Sequence, residues 1–177
     1  MINFREANEN NILKECLQYF LIIIFVLLFR TFLYSPIRVT GDSMVPTLLD
    51  GDIMILDKIG YRINGLKRFD IVVIKYNNEK IIKRVIGLPG DYIEYKDNIL
   101  YVNGKEIKEE YKRDITNNFS LKDLGYEKIP ENKYLVLGDN RSISKDSRII
   151  GLIDKEDIEG YTGIIVFPFK RIGNVIE

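Results

Sequence analysis

Tyr92-Ile93-Glu94-Tyr95-Lys96-Asp97-Asn98-Ile99-Leu100-Tyr101-Val102-Asn103-Gly104-Lys105-Glu106-Ile107 decides the fold of this 177-residue chain. Three short β-prone runs, Tyr92 to Tyr95, Ile99 to Val102 and Lys105 to Ile107, are separated by Lys96-Asp97-Asn98 and by Asn103-Gly104. Asn-Gly accepts the positive φ angles that a tight hairpin turn demands, so the stretch reads as consecutive antiparallel strands. The same texture extends in both directions. Upstream, Ile53 to Leu56 and Ile71 to Ile74 are compact apolar runs that read as buried strands, and Lys80 to Ile86 is a third, stopped by Gly87-Leu88-Pro89-Gly90. Downstream, residues 108–130 are charged and without periodicity and are expected to be a surface excursion. Strands resume at Tyr134 to Leu137 and at Gly163 to Phe167. Many short strands with regular turns predict a mainly β domain over residues 35–177, built as a sandwich or a coiled, barrel-like antiparallel sheet.

The amino-terminal part is different. From Cys16 to Tyr34 the chain is apolar apart from Gln18, Arg30 and Thr31. Coiled as a helix at about 1.5 Å per residue, Cys16 to Leu33 would cover about 27 Å, close to the roughly 30 Å thickness of a bilayer's hydrocarbon core. Tyr19 and Tyr34 stand where interfacial aromatics are wanted, and Arg30 can extend its charged head to the interface. No small-x-small cleavage site follows, so residues 16–34 are expected to be an uncleaved transmembrane anchor, preceded by a short mobile tail over residues 1–15. Charges on the two sides of the span are balanced and do not orient it.

Lys+Arg and Asp+Glu both number 26, which leaves no basic excess for nucleic acid. One cysteine and no histidine exclude an internal disulfide and argue against zinc, and no cofactor is expected. Gly41-Asp42-Ser43-Met44-Val45-Pro46-Thr47-Leu48 begins seven residues after Tyr34 and would hold a serine hydroxyl near the bilayer surface. With no histidine in the chain, every Ser-His-Asp arrangement is ruled out, so the base must be lysine or a carboxylate. A lysine serving as base at neutral pH has to lose roughly three pKa units, about 4 kcal/mol, to burial. Lys83 has the apolar setting for this, because alternation puts Ile81, Lys83 and Val85 on one face of a strand and Arg84 on the other, whereas Lys75 and Lys80 adjoin a polar turn. An ordinary lysine at a sheet edge is the alternative. Gly138-Asp139-Asn140-Arg141-Ser142-Ile143-Ser144-Lys145-Asp146-Ser147-Arg148 is either a solvated turn or a buried polar network that holds a neutral lysine.

Taken together, the apolar amino-terminal run, Ser43-Met44-x-Pro46-Thr47-Leu48, Asp70-Ile71-Val72-Val73, Lys83-Arg84-Val85-Ile86-Gly87-x-Pro89-Gly90-Asp91 and Gly138-Asp139-Asn140-Arg141-x-x-Ser144-x-Asp146-Ser147-Arg148 resemble the type I signal peptidases, in their compact, single-span Gram-positive form. The resemblance implies a membrane-bound serine endopeptidase that removes signal peptides from secretory preproteins after small-x-small sequences. It implies Ser43 as nucleophile, Lys83 as general base, and Ser144 as the hydroxyl that hydrogen-bonds and orients the lysine. Asp139, Asp146 and Arg148 become structural members of the network, and the Ser43 backbone N–H becomes an oxyanion donor. It further implies a monomer in the cytoplasmic membrane, its amino terminus cytoplasmic and its catalytic domain outside. Met44 and Val45 are expected at the membrane-facing surface. Two positions depart from the family pattern: Gly41, where some members carry a serine donor, and Phe69, where glycine is usual. A single-substrate maturation protease and a silent scaffold are the rivals, and the scaffold predicts Ser43 and Lys83 too far apart to hydrogen-bond.

Overall fold

The structure, a computed structural model, describes residues 4–175, with the side chains of residues 4–11, 13 and 29–32 outside the description. Helix α1 runs from Phe4 to Phe32 with no proline or glycine to stop it, so most of the expected tail is helical. Side chains from Lys14 to Leu28 are exposed on every side of α1, Phe25 at 67% among them. Among the described residues, no helix is long and apolar enough to cross a membrane. The helix ends at Phe32 and Tyr34 already begins a strand, so the helical stretch stops short of the Tyr34 limit expected for the anchor, and the side chain of Arg30 lies outside the described residues.

Beyond α1 the chain is mainly β. Strands β1 (Tyr34–Arg38), β2 (Ile53–Asp57), β3 (Ile71–Tyr76), β4 (Glu79–Gly87), β5 (Ile93–Lys96), β6 (Ile99–Val102), β7 (Lys105–Ile107), β8 (Phe119–Ser120), β9 (Lys133–Leu137), β10 (Ile153–Asp154), β11 (Ile158–Phe167) and β12 (Gly173–Asn174) are joined by loops and two short helices, α2 (Gly60–Asn64) and α3 (Ser147–Ile150). The larger sheet has the order β1-β2-β11-β3-β4-β9-β10, with β12 on β11; the smaller has the order β7-β6-β5-β8. All pairings are antiparallel. The path of the larger sheet is open at β1 and β10, so among the described residues it does not close into a barrel.

Burial follows strand position. In β2, Met54 and Leu56 are buried while Ile53, Ile55 and Asp57 are half-buried, as expected of a strand with one covered face. At the sheet's centre, β3 from Ile71 to Ile74 and β4 from Ile82 to Gly87 are buried on both faces. One apolar cluster joins Met54, Leu56, Ile71 and Ile82, and a second joins Val72, Ile74, Val85 and Val136. The smaller sheet has its own, built on Ile93, Tyr95, Leu100 and Val102.

Residues 108–130 are not a surface excursion throughout. Leu121 and Ile129 enter the core of the smaller sheet, and Thr116 is buried as well. Their burial is irregular because the segment folds as a strap held by side-chain hydrogen bonds. Apart from the two-residue β8 and a single 3₁₀ turn over Leu121–Leu124, it has no strand or helix period for a sequence pattern to register.

Candidate active site

Three segments meet at the middle of β4, around Lys83 and Arg84. The first is the turn that carries Ser43. Gly41 adopts φ +79°, in the left-handed region that glycine enters without strain, and its N–H donates to Asp50 Oδ1 at 2.8 Å. Backbone bonds from Val45 N to Asp42 O (3.1 Å) and from Leu48 N to Met44 O (2.9 Å) tighten the turn. Met44 and Leu48, 1% and 0% exposed, drive into the first apolar cluster. Fully burying such side chains contributes roughly 1.5–3 kcal/mol each. Met44 therefore does not belong to a membrane-facing surface: it pins the turn from below, while Val45 is half-buried. Ser43 is left half-buried at the top.

The second segment is β4. Lys83 is 3% exposed, opposite Val72 in the sheet register, and its face of the strand also carries Ile81 and Val85. Its Nζ donates to Ser43 Oγ at 2.7 Å and to Ile82 O at 2.9 Å. Removal from water pushes Lys83 down to about 8, and Asp146 and Asp139 hold it from falling further. Lys75 is exposed and Lys80 is paired with Glu159, so neither competes as a base.

The third segment is the loop from Gly138 to Arg148, which is a buried network. Asp139, fully buried, accepts from Arg84 Nε (2.9 Å), Arg84 Nη2 (2.6 Å) and Thr47 Oγ1 (2.5 Å). One carboxylate thereby ties the nucleophile turn to the base strand. Asp146 accepts from Gly138 N (3.0 Å) and from Arg148 Nε (2.9 Å) and Nη2 (2.8 Å), and it caps α3. Asn140 reaches the nucleophile directly, its N–H donating to Ser43 O at 3.1 Å and its Nδ2 to Asp42 O at 3.1 Å. A Cβ on Gly138 would collide with Ser144 Oγ and Ser43 O, so only glycine permits this approach.

Ser144 departs from expectation. It is 4% exposed, and its Oγ has no hydrogen-bond partner among the described residues, so the bond to Lys83 is not made. The lysine amine spends its contacts on Ser43 and Ile82, and Ser144 packs against Gly138 instead. Sequence reasoning also missed Arg84, Thr47 and Asn140. All three lie within the motifs that carry the resemblance, and for Thr47, between Pro46 and Leu48, and Arg84, before Val85, a polar residue beside apolar ones was the available signal. Phe69 has φ +76°, which accounts for glycine as the usual residue there.

Ser43 and Lys83 open into a cleft of about 510 Å³ whose walls include Tyr76, Ile81, Ile143 and Lys145. Among the described residues, no group of three or more His, Cys, Asp or Glu side chains could hold a metal ion. A hydroxyl in hydrogen-bond contact with a desolvated amine at the floor of a cleft can attack a carbonyl. The separation required of a silent scaffold is absent, and fold and site together define a serine peptidase.

The family described as "Signal peptidase, peptidase S26" matches residues 12–167. Signal peptidase IB of Staphylococcus aureus is 43% identical over 89% of this chain and 93% of its own length. Signal peptidase I of Bacillus licheniformis is 40% identical over 97% of this chain and 98% of its own. A crystal structure of a signal peptidase I from Enterococcus faecalis aligns with a TM-score of 0.51 at 37% identity, covering 54% of this chain and 95% of that one. The chain belongs to the signal peptidase family, peptidase S26.

Proposed function

We propose that the protein removes signal peptides from secretory preproteins with Ser43 as nucleophile and Lys83 as general base. The observation that carries this is the 2.7 Å hydrogen bond between Lys83 Nζ and Ser43 Oγ, made by a lysine that burial has brought down to about 8. When Lys83 is neutral the bond reverses, and the Ser43 hydroxyl donates to the amine. Attack of Ser43 Oγ on the scissile carbonyl then transfers its proton to Lys83, which passes it to the leaving amine of the mature chain. The acyl-enzyme ester is hydrolysed by a water whose proton Lys83 takes, and that proton returns to Ser43 Oγ as the acyl group departs. The Ser43 backbone N–H serves as oxyanion donor, its peptide fixed by the Asn140 Nδ2 contact to Asp42 O at 3.1 Å. Asp139, Asp146 and Arg148 hold the geometry without carrying protons.

Residues 16–34 act as a single membrane anchor in the cytoplasmic membrane, with the amino terminus cytoplasmic and residues 35–177 outside. The all-round apolar exposure of α1 between Leu17 and Leu28, apart from Gln18, favours this, since such a surface is stable in lipid and costly in water. One copy suffices, because nucleophile and base come from the same chain.

The test is cleavage of a preprotein ending in Ala-x-Ala by detergent-solubilised enzyme, wild type beside Ser43→Ala and Lys83→Ala, across pH. Both variants should be inactive, and wild-type kcat/KM should rise with pH through about 8, as Lys83 loses its proton. Full activity in Lys83→Ala overturns the mechanism.

A further inference from the structure

The strap from Glu109 to Thr116 makes a set of contacts that core filling does not require. It touches two arginines of the site, Arg84 and Arg141. The Arg84 guanidinium lies over the Tyr111 ring, 3.9 Å from Cζ to ring centroid. The ring also packs against Phe69, 5.3 Å away between centroids. The Tyr111 hydroxyl accepts from Arg141 Nη2 at 2.9 Å and donates to Glu109. Glu109 pairs with Arg141 at 2.9 Å and with Arg113 at 2.6 Å. Arg141 also reaches Tyr95 and Thr116, and its Nε donates to Gly138 O at 2.9 Å. Asp114 N donates to Asp139 O at 3.0 Å. The strap thus grips the loop that carries Asp139 and covers the arginine that Asp139 binds.

We propose that Tyr111 is a positioning residue for the catalytic pair: wedged between Phe69 and Arg84, it keeps Arg84 locked on Asp139, and through Asp139 it holds the Ser43 turn and the Lys83 strand at hydrogen-bonding distance. The proposal rests on Ser43 and Lys83 being the reacting groups. Arg84 has three oxygen contacts, to the two carboxylate oxygens of Asp139 and to Phe69 O at 2.9 Å. All lie at the edge of the guanidinium plane, and the aromatic ring covers one of its faces, where water would otherwise compete. Phe69 keeps its side chain despite φ +76°, and that side chain is the wall that holds Tyr111. The family's usual glycine would relieve the backbone and remove the wall.

A merely structural tyrosine and a positioning one make different predictions for the base. Lys83 is faced by Asp139 and Asp146 from the loop and by Ser43 and Asp42 from the nucleophile turn, with Glu79 on its own strand and Lys145 on the opposite rim. Arg84 is faced by Asp139 and by Asp70. When the ring is lost, Arg84 can turn toward water, and Asp139 is left with less positive charge beside it. Its carboxylate, together with the water admitted, then favours the ammonium form of Lys83.

The experiment uses the full-length enzyme in detergent with a preprotein ending in Ala-x-Ala, comparing wild type, Tyr111→Leu and Tyr111→Phe. Tyr111→Leu should lower kcat about tenfold with KM within twofold, and move the acidic limb of kcat/KM upward by about half a pH unit or more. Tyr111→Phe keeps the ring, so its acidic limb should stay with wild type while kcat falls less than threefold. A folded Tyr111→Leu with the wild-type limb and kcat overturns the proposal, as does a Tyr111→Phe limb that moves as far as that of Tyr111→Leu. Should Tyr111→Leu not fold, Tyr111→Met, unbranched and without a π face, decides on the same criteria. Failure of the dyad itself shows separately, as activity surviving in Lys83→Ala.

Discussion

Lys83 and Arg84 are neighbours on β4, point to opposite faces and are almost equally buried, at 3% and 0% exposed. Their electrostatic situations are opposite. Arg84 meets a carboxylate with two of its nitrogens and a carbonyl with a third, so its charge is fully compensated. Lys83 faces a hydroxyl and a carbonyl, with its nearest carboxylates acting only at a distance, and burial brings it down to about 8. The same strand at the same depth therefore yields a permanent structural cation on one side and a proton acceptor on the other. What differs is whether a counter-charge is supplied at contact distance.

The strongest way to break the comparison is to remove the acceptor. Lys83→Ala should lower kcat about 10²–10⁴-fold, the range for loss of a positioned general base, measured by preprotein cleavage. Lys83→Arg should be equally inactive, since a guanidinium does not give up its proton at any working pH. Next comes the compensated side. Asp139→Asn leaves Arg84 buried without a counter-charge and should cost about 3–5 kcal/mol in unfolding free energy, read by chemical denaturation. A loss below 1 kcal/mol would mean that Arg84 does not need its partner. Met44→Ala, which removes the apolar pin under Ser43, should cost about 2–5 kcal/mol in the same measurement.

The comparison is sharpened by giving Lys83 the counter-charge it lacks. Ile81→Glu puts a carboxylate on the same face of the strand and should raise the acidic limb of kcat/KM by about one pH unit or more, because a nearby negative charge favours the protonated amine. An unchanged limb would show that burial alone sets the base. The smallest effect belongs to Ser144→Ala. Its hydroxyl has no hydrogen-bond partner among the described residues, so removal should change stability by less than about 1 kcal/mol and reduce turnover less than either dyad substitution.

Most of the strands were legible, and the reasons are local. Asn103-Gly104 fixed a hairpin, and the runs at Ile71 and Lys80 gave β3 and β4, whose residues 83 and 84 then fell on opposite faces by alternation. β1 escaped because Pro36 demotes a run that is in fact an outer strand of the sheet, where a missing N–H is tolerated. The first half of β11 escaped because Gly160 and a shift of register interrupt its pattern. At the site, Ser43 and Lys83 were accessible from the chemistry of a chain without histidine. The ties through Thr47, Asn140, Glu109 and Tyr111 were not, because they join segments dozens of residues apart and leave no period in the sequence. Met44 was misplaced for a related reason: an apolar residue after a surface serine fits a lipid-facing role as well as a core one, and only the position of β2 and β3 beneath the turn decides between them.

A base that titrates near 8 also divides the population. At pH 7 roughly a tenth of the molecules hold a neutral Lys83 at any instant, and the rest carry an ammonium that cannot accept the serine proton. Lys83 is buried but its partner Ser43 opens to the cleft, so protons exchange through that side and every molecule takes its turn in the competent minority. The observed rate is then the intrinsic rate of that minority scaled by its share, and it would climb nearly tenfold between pH 7 and pH 9 with no change in the shape of the protein.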